Sequence, residues 1–378
     1  MAQLSPRMQE LVQPHLRTLE PYDPNFTLTS VNLSANENTY GVPEAARAAI
    51  DAALAATPTN RYPDPMSNEL RDELAAWHGV ARENVIVGNG GDELLFNFLL
   101  AFGGPGRTLV NVPPAFSEYA FFASLVQTDV VDVWRDPETL LPREDELVAA
   151  AANAQMVILT SPNNPTGDVA KAELVRRVCE TCPGLVMVDE AYVEFAPEGS
   201  SVQWLLSECS NLVVLHTLSK AFALAGTRCG YFIAAPDVID TLAAVRQIYS
   251  VNVLTQAAAL AAVRNRELFA PVINDVRSER SRLYEALNRL EGIRVWPSEG
   301  NFLLVRVARA SVVRNRMRDE YSILVRDFSY APGLDDCLRI TVGTPEENLA
   351  VIDALSVLVP EEAAKAAAEA PAKEACND

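Results

Sequence analysis

Between Asn84 and Ala235, short apolar runs alternate with segments of helical periodicity. The runs are rich in valine, isoleucine and leucine, which is typical of strands buried on both faces of a parallel sheet. The alternation predicts a sheet flanked by helices, with functional side chains at the carboxyl ends of the strands. The predicted strands are NVIVGNG, RTLVNV, QMVILTS, LVMVDEA, NLVVLH and GYFIAA, and the helices are GDELLFNFLLAFG, FSEYAFFASLV and KAELVRRVCE.

After Ala235 the pattern becomes long and helical, and it then returns to short strands in IRVWPS, NFLLVRV, ILVRDF and CLRITVG. This order predicts a second, smaller α+β domain. We expect an α/β protein with a large domain at 36–255 and a small domain built from 1–35 and 256–360. The remaining segment, 361–378, is alanine-rich and charged, and we expect it to be a disordered tail.

Composition narrows the class of protein. A chain of 378 residues suggests about two domains, each able to bury a core. The 31 basic and 50 acidic residues give a net charge of −19, which argues against nucleic-acid or anionic-membrane partners. We find neither an apolar run of membrane-spanning length nor a secretion signal, and we expect a cytoplasmic protein.

The cysteine pattern gives only weak evidence of a functional site. Cys179 and Cys182 form a CxxC, but neither a second pair nor nearby histidines complete a zinc site. We therefore expect unpaired thiols near a helix end and no bound metal, and a redox role is the alternative.

Two segments that follow predicted strands have the composition of ligand-binding turns. In GNGGDELL, Gly91, Asp92 and Glu93 stand between a strand and a helix, where glycine and free amides favour phosphate binding. In TSPNNPTG, Asn164 lies in a proline-stiffened turn and carries both a donor and an acceptor. Either segment could also be a purely structural turn.

The segment VMVDEAYVEF places a carboxylate directly after an apolar run. Burying Asp189 there costs several kcal/mol unless a positive group meets it. Tyr192, three residues further on, can point into the same cleft. The alternative is that Asp189 caps a helix and Tyr192 packs in the core.

Lys220 lies in TLSKAFALAGTRCGY, with Thr217 and Ser219 before it and Arg228 after it. A lysine at a strand end, near a carboxylate and a tyrosine, is a candidate for Schiff-base chemistry with an aldehyde. Pyridoxal phosphate combines an aldehyde, a phosphate and a basic ring nitrogen, and it suits the whole set. The alternative, a solvated lysine on a loop, leaves the complementary groups of the other segments unexplained.

This hypothesis assigns a part to each group. Asp189 keeps the ring nitrogen protonated, and Asn164 and Tyr192 contact the ring oxygen. Phe116 stacks on the face of the ring. The groups assigned to the phosphate lie at Gly91, the amide of Asp92, Glu93, Thr217, Ser219 and the guanidinium of Arg228.

Three segments, SPNNPTG, VDEAYVEF and TLSKAFALAGTRCGY, resemble in chain order the cofactor segments of the fold-type I aminotransferases of class I/II. The resemblance extends from about Asn32 to Leu358 and implies a large domain with a mostly parallel sheet and a smaller α+β domain. Further stretches resemble a subfamily acting on a phosphorylated amino alcohol, namely LSANENTYGVP, RYPDP, GNGGDELL, GNFLLVR and ILVRDFSYAPGLDDCLRITVGTPEEN.

The resemblance also implies roles for single residues. Lys220 would bind the aldehyde and move a proton, and Tyr62 would reach the phosphate of a neighbouring subunit, which implies a homodimer. Arg339 matches an arginine that holds the substrate's anion, and Arg326 matches a second arginine linked to a substrate phosphate. One departure is Phe116, because many relatives have tyrosine there.

The implied reaction exchanges an amino group between the phosphorylated amino alcohol and the pair glutamate and 2-oxoglutarate. An aminotransferase for aromatic or other amino acids is one alternative, and a phosphothreonine decarboxylase of related fold is another. A third alternative is the cofactor-binding domain of a transcription regulator. The acidic chain, with about thirty residues ahead of the matching region, disfavours that last alternative.

Overall fold

The computed structural model describes residues 5–17, 19 and 27–369. Within them the chain forms two sheets surrounded by helices. The helices are α1 (Pro6–Leu11), α2 (Glu44–Ala56), α3 (Asn68–His78), α4 (Gly90–Phe102), α5 (Glu118–Leu125), α6 (Glu144–Ala151), α7 (Ala172–Thr181), α8 (Pro236–Val245), α9 (Val253–Arg264), α10 (Ala270–Asn288), α11 (Ala310–Tyr321) and α12 (Pro345–Glu369). The strands are β1 (Val31–Leu33), β2 (Val85–Gly88), β3 (Thr108–Asn111), β4 (Asp129–Asp132), β5 (Met156–Thr160), β6 (Leu185–Asp189), β7 (Leu212–Thr217), β8 (Gly230–Ala234), β9 (Ile293–Val295), β10 (Phe302–Val307), β11 (Ile323–Asp327) and β12 (Cys337–Thr341).

The large sheet has seven strands in the order β2-β8-β7-β6-β5-β3-β4. Strands β3 to β7 run parallel to one another, and β8 runs antiparallel to β7 and β2. The predicted α/β fold with a mostly parallel sheet is confirmed. The sequence pattern did not indicate β4, because this edge strand is partly exposed and carries an aspartate at each end.

The continuous apolar runs arise because the central strands are buried on both faces. Val186 and Val188 of β6 belong to one core cluster, with α6 and α7. Met187, the residue between them, belongs to a second cluster on the opposite face, with α4 and α5. Successive side chains of a strand point to opposite faces, so each run supplies both cores.

The small sheet has five strands in the order β1-β11-β12-β10-β9. Strand β1, from the N-terminal part of the chain, pairs in parallel with β11, and the other pairs are antiparallel. Tyr231 of the large sheet and Phe302 of the small sheet belong to the same core cluster, so apolar contacts join the two sheets. The division at residues 36–255 stays a prediction.

Helix α12 extends into the segment that we expected to be disordered. Its last residues, 361–369, are helical because Glu362 is almost fully buried and bonded to cations. The carboxylate of Glu362 accepts hydrogen bonds from Lys365, at 2.7 Å, and Arg316, at 3.1 Å. The expectation of disorder therefore does not apply to 361–369, and the rest of the predicted tail, 370–378, lies outside the described residues.

The CxxC cysteines lie at the end of α7. Cys179 and Cys182 are both buried and unpaired, and burial raises the pKa of each thiol. Within 5–17, 19 and 27–369, no cluster of histidine, cysteine, aspartate and glutamate is arranged to hold a metal ion. No helix of the described part of the chain has the length and apolar character needed to cross a membrane.

Candidate active site

The candidate site lies where three parallel strands of the large sheet end. Thr160, Asp189 and Thr217 are the last residues of β5, β6 and β7. The start of β8 closes one side, because a Cβ on Gly230 would lie only 2.9 Å from the amide nitrogen of Gly91. The absence of a side chain there lets the start of α4 approach the strand ends.

Asp189 is 5% exposed and lies at the floor of the site. Its Oδ2 accepts a hydrogen bond from the hydroxyl of Tyr119, at 2.7 Å, and its Oδ1 accepts one from the amide of Ala191, at 3.0 Å. Burial raises the pKa of Asp189 to about 6 in spite of these donors. A buried carboxylate held in this way suits a positively charged ring nitrogen as its ligand.

Lys220 lies above this floor. Its Nζ donates to the main-chain oxygen of Ala35, at 2.9 Å, and lies 5.8 Å from the ring centroid of Tyr192. Burial, and next the positive charge of Arg339, lower the pKa of Lys220 to about 8. A substantial fraction of the amine is therefore neutral and nucleophilic at mildly alkaline pH.

Tyr192 is buried between Lys220 and the small sheet. Its hydroxyl accepts a hydrogen bond from Nδ2 of Asn36, at 3.1 Å, and its ring packs edge-on against Phe302. Burial raises the pKa of Tyr192, so the hydroxyl keeps its proton at neutral pH. The hydroxyl can therefore donate a hydrogen bond to a ligand.

The start of α4 and Arg228 form a cradle of hydrogen-bond donors. Gly90 has a φ of +83°, and a Cβ on it would lie 2.6 Å from Nη2 of Arg228, so the guanidinium lies directly against the helix start. Arg228 also donates to Oδ2 of Asp92, at 2.9 Å. Free amides at a helix start together with a guanidinium are a favourable place for a phosphate.

Two hydroxyls extend this cradle from β7. The hydroxyl of Thr217 lies 2.9 Å from the hydroxyl oxygen of Ser219 and also accepts a hydrogen bond from the amide of Ser219, at 3.1 Å. Both side chains are largely buried. The hydroxyls, the helix start and Arg228 have the chemistry to hold a phosphate, and the buried carboxylate of Asp189 has the chemistry to hold a protonated ring nitrogen, as pyridoxal phosphate requires.

Glu93 and Phe116, two of the residues expected to bind the cofactor, contact residues that are close to them in the sequence. The carboxylate of Glu93 accepts a hydrogen bond from the amide of Asn89, at 2.5 Å, and so stabilises the start of α4. Phe116 packs edge-on against Tyr119, with the ring centroids 5.6 Å apart. Because Tyr119 bonds to Asp189, this contact keeps Phe116 near the floor of the site.

The two expected substrate arginines are cross-strand neighbours. Arg326 of β11 and Arg339 of β12 lie directly opposite each other in an antiparallel pair, so both side chains leave the same face of the small sheet. Arg339 donates to Oδ1 of Asn164, at 2.7 Å, and to the main-chain oxygen of Ser34, at 2.5 Å. Asn164 thereby connects the large-sheet turn to the substrate side of the site.

Tyr62 lies on the surface of the chain. Its side chain is 80% exposed, and its ring stacks on Tyr249 with the centroids 4.6 Å apart. Tyr192 and Arg339 lie near Lys220, and Asn164 bonds to Arg339, whereas Tyr62 faces outward.

Sequence reasoning missed the contacts of the segment Ser34–Asn38 and the role of Tyr119. The segment contributes the main-chain oxygens that meet Arg339 and Lys220 and the amide that meets Tyr192. Its signal was the run of small and polar residues SANEN after the short apolar strand β1. The signal for Tyr119 was its position three residues after Phe116, within the stretch FSEYAFFASLV that was predicted as a helix.

A family model described as "Aminotransferase class I and II" matches residues 29–355. The chain belongs to this aminotransferase family. The aminotransferase is 38% identical over 342 residues to histidinol-phosphate aminotransferase 1 of Carboxydothermus hydrogenoformans, covering 90% of this chain and 96% of that protein.

Solved structures share the same aminotransferase fold. The crystal structure of histidinol-phosphate aminotransferase from Sinorhizobium meliloti, in complex with pyridoxal 5'-phosphate, matches with a TM-score of 0.84 and 25% identity, covering 93% of this chain and 98% of that one. The L-threonine-O-3-phosphate decarboxylase of Porphyromonas gingivalis matches with a TM-score of 0.77 and 28% identity, covering 87% of this chain and 99% of that one. The fold-type I assignment is confirmed.

Proposed function

We propose that this aminotransferase uses pyridoxal phosphate to transfer the amino group of histidinol phosphate to 2-oxoglutarate, which gives imidazole-acetol phosphate and glutamate. The observation that carries the proposal is the pairing of Arg326 and Arg339 on one face of the small sheet, with Arg339 close enough to Lys220 to lower its pKa. The similarity to histidinol-phosphate aminotransferases over most of the chain supports the choice of substrate.

Pyridoxal phosphate, when bound, supplies an electron-accepting ring that stabilises negative charge on the substrate carbon. The carboxylate of Asp189 would hold the proton on the ring nitrogen that makes the ring a strong acceptor. Asn164 and Tyr192 would bind the ring oxygen, and Phe116 would pack on the ring face. The phosphate would be held by the start of α4 at Gly91 and Asp92, by Thr217 and Ser219, and by Arg228, while Glu93 stabilises that helix start.

Lys220 has two tasks in this reaction. Its Nζ would hold the aldehyde group of the cofactor. When free, the same Nζ would take a proton from the substrate carbon, because a lysine with a pKa near 8 is a competent base at mildly alkaline pH.

Arg326 and Arg339 would bind the anions of both substrates in turn. A guanidinium presents a planar pair of donors that suits either a phosphate or a carboxylate. Arg339 is oriented by Asn164 and by the main chain of Ser34, which favours it for the carboxylate of glutamate. Arg326, its cross-strand neighbour, would bind the phosphate of histidinol phosphate.

The proposal includes a cytoplasmic homodimer with shared sites. The exposed stack of Tyr62 on Tyr249 and the 81% exposed side chain of Ile248 offer an apolar surface for a second copy of the chain. In such a dimer, the hydroxyl of Tyr62 would reach the phosphate bound in the partner subunit. The small-molecule substrates of the reaction require no nucleic-acid or membrane partner.

The decisive experiment compares half-reactions on a panel of amino donors. The visible absorbance of the bound cofactor is followed by stopped flow with histidinol phosphate, glutamate, aromatic amino acids and O-phosphothreonine. We expect fast conversion with histidinol phosphate and glutamate, and recovery of the original spectrum on adding 2-oxoglutarate. Release of carbon dioxide from O-phosphothreonine, or conversion by aromatic amino acids alone, would replace the proposal with one of those activities.

A further inference from the structure

Asn36 is fully buried and connects Tyr192 to strand β12 of the small sheet. Its side-chain Nδ2 donates to the hydroxyl of Tyr192, at 3.1 Å, and its main-chain amide donates to Oγ1 of Thr341, at 3.0 Å. Its main-chain oxygen accepts a hydrogen bond from Nδ2 of Asn301, at 3.0 Å. Hydrogen bonds from its side chain and its main chain therefore hold Asn36 in place.

The contacts of Thr341 decide which way the amide of Asn36 points. The hydroxyl oxygen of Thr341 accepts from the amide nitrogen of Asn36, so its own proton is directed to Oδ1 of Asn36, at 3.2 Å. The amide oxygen is thus occupied, and the NH2 group faces Tyr192. The oxygen of Tyr192 accepts from that group, and its single proton must point elsewhere.

We propose that Asn36 is a positioning residue that directs the hydroxyl proton of Tyr192 toward the ring oxygen of pyridoxal phosphate. This inference rests on the proposed function, because it needs the cofactor in the Lys220 site. A polarised chain of hydrogen bonds runs from Thr341 through Asn36 to Tyr192, and each donor strengthens the next. The backbone of Asn36 has a φ of +54°, a conformation that asparagine tolerates better than most residues.

The consequence is a change in the acidity of the bound cofactor. A hydrogen bond donated to the ring oxygen stabilises its negative charge and makes it a poorer proton acceptor. When Asn36 no longer holds Tyr192, the hydroxyl donates less well, and the ring oxygen becomes more basic. The pH midpoint of the change in the cofactor's visible absorbance should then rise.

The experiment is a spectrophotometric pH titration of the loaded enzyme without substrate. Asn36→Gly removes the side chain but allows the positive φ, and we expect the midpoint to rise by about 0.5 to 1 pH unit. Thr341→Val keeps Asn36 but leaves its amide free to flip, and we expect a smaller rise in the same direction. This second variant keeps the test decisive if Asn36→Gly folds poorly.

A double-mutant cycle separates positioning from a general structural effect. Tyr192→Phe should raise the midpoint by itself, and adding Asn36→Gly should then change it by less than about 0.2 pH unit. The matched control is Thr39→Val, which removes a hydrogen bond between the same segment and Glu347 without touching Asn36 or Tyr192 and should leave the midpoint unchanged.

The inference is overturned if Asn36→Gly and Thr341→Val leave the midpoint unchanged, or if the shift persists undiminished in the Tyr192→Phe background. A failure of the proposed cofactor looks different. In that case the unmodified protein, incubated with pyridoxal phosphate, shows no more visible absorbance than Lys220→Ala does.

Discussion

Arg326 and Arg339 face each other across the antiparallel strands β11 and β12. Like charges in this position destabilise a sheet, by roughly 0.2 to 1 kcal/mol at an ordinary site. The chain as a whole is strongly acidic, yet this face carries two guanidiniums, and one of them, that of Arg339, lies near Lys220. An anionic substrate that binds between them would offset the repulsion, so the pair is suited to binding phosphate or carboxylate groups.

The arginine pair predicts unequal effects on the two half-reactions. Arg326→Ala should reduce kcat/KM for histidinol phosphate by about 10- to 100-fold, because it removes a charge-assisted hydrogen bond to the phosphate. The half-reaction with glutamate should lose much less, and stopped-flow absorbance measures both. The control is Arg306→Ala on strand β10, which removes the same charge from an arginine bonded to the main-chain oxygen of Asp335. Equal losses in both half-reactions would argue against a phosphate-binding role for Arg326.

Lys220 is predicted to be indispensable for both cofactor attachment and turnover. Lys220→Ala should abolish amino transfer and the visible absorbance of covalently held pyridoxal phosphate, since it removes the amine that would hold the aldehyde. A suitable control is Lys171→Ala, which removes a surface lysine that pairs with Glu144. An absorbance spectrum and an end-point assay check the prediction. Normal absorbance together with normal activity in Lys220→Ala would refute the assigned role.

Asp189 should destabilise the cofactor-free protein at neutral pH. Its pKa is about 6 in the folded chain and about 3.8 for an ordinary aspartate, so folding is disfavoured when the group is ionised. As the pH rises, the carboxyl group of Asp189 ionises in the unfolded state before it ionises in the folded state. Its contribution to the free energy of unfolding therefore falls between about pH 4 and about pH 6 and is constant above that. This difference between the two pKa values lowers the free energy of unfolding by on the order of 3 kcal/mol above pH 6.

Asp189→Asn tests this penalty. The cofactor-free variant should be more stable than the unmodified apoprotein at pH 8, and the difference should disappear near pH 4. Urea unfolding of both proteins at several pH values measures it. Glu194, whose pKa burial raises to about 8, is present in both proteins, so its contribution cancels in the difference. Burial raises the pKa of Glu190 to about 7, and the smaller part of that rise that comes from the charge of Asp189 belongs to the same penalty. A difference in stability that does not change with pH would show that Asp189 is not the titrating group.

Tyr62 is expected to serve the partner subunit rather than its own chain. Tyr62→Ala and Lys220→Ala should each be nearly inactive as homodimers. Mixing them with subunit exchange should restore roughly a quarter of the native sites, because half of the dimers are hybrids with one intact site each. Activity after exchange, compared with each variant incubated alone, measures this complementation. Without any recovery, a role for Tyr62 across the interface would have to be abandoned.

Local pattern was sufficient to predict much of the large sheet. The apolar runs that form β5, β6 and β7 are short, contain β-branched side chains and are bounded by turn residues. Each of these properties can be recognised from a few consecutive residues. The same information placed Asp189 and Lys220 at strand ends. Because these strands are buried on both faces of the sheet, their continuous apolar runs can be recognised as strands without knowledge of the strands beside them.

Other features depended on contacts that no local pattern contains. The edge strand β4 and the helical residues 361–369 have few large apolar side chains, and their conformations depend on pairing with β3 and on the contacts of Glu362. Tyr119 needed the fold to bring its hydroxyl to Asp189, seventy residues away.

The amino-acid sequence by itself determined the class of fold, the order of the strands along the chain and the chemical types gathered at their ends. Only the tertiary structure decided that Asn36 meets Tyr192, that Ser34 meets Arg339 across 305 residues, and that Arg326 lies opposite Arg339. The physical reason is the distance along the sequence over which each effect acts. Side-chain periodicity and turn chemistry involve residues a few positions apart. Strand pairing and buried hydrogen bonds join residues that are far apart in the sequence, and no local pattern indicates which of them will meet.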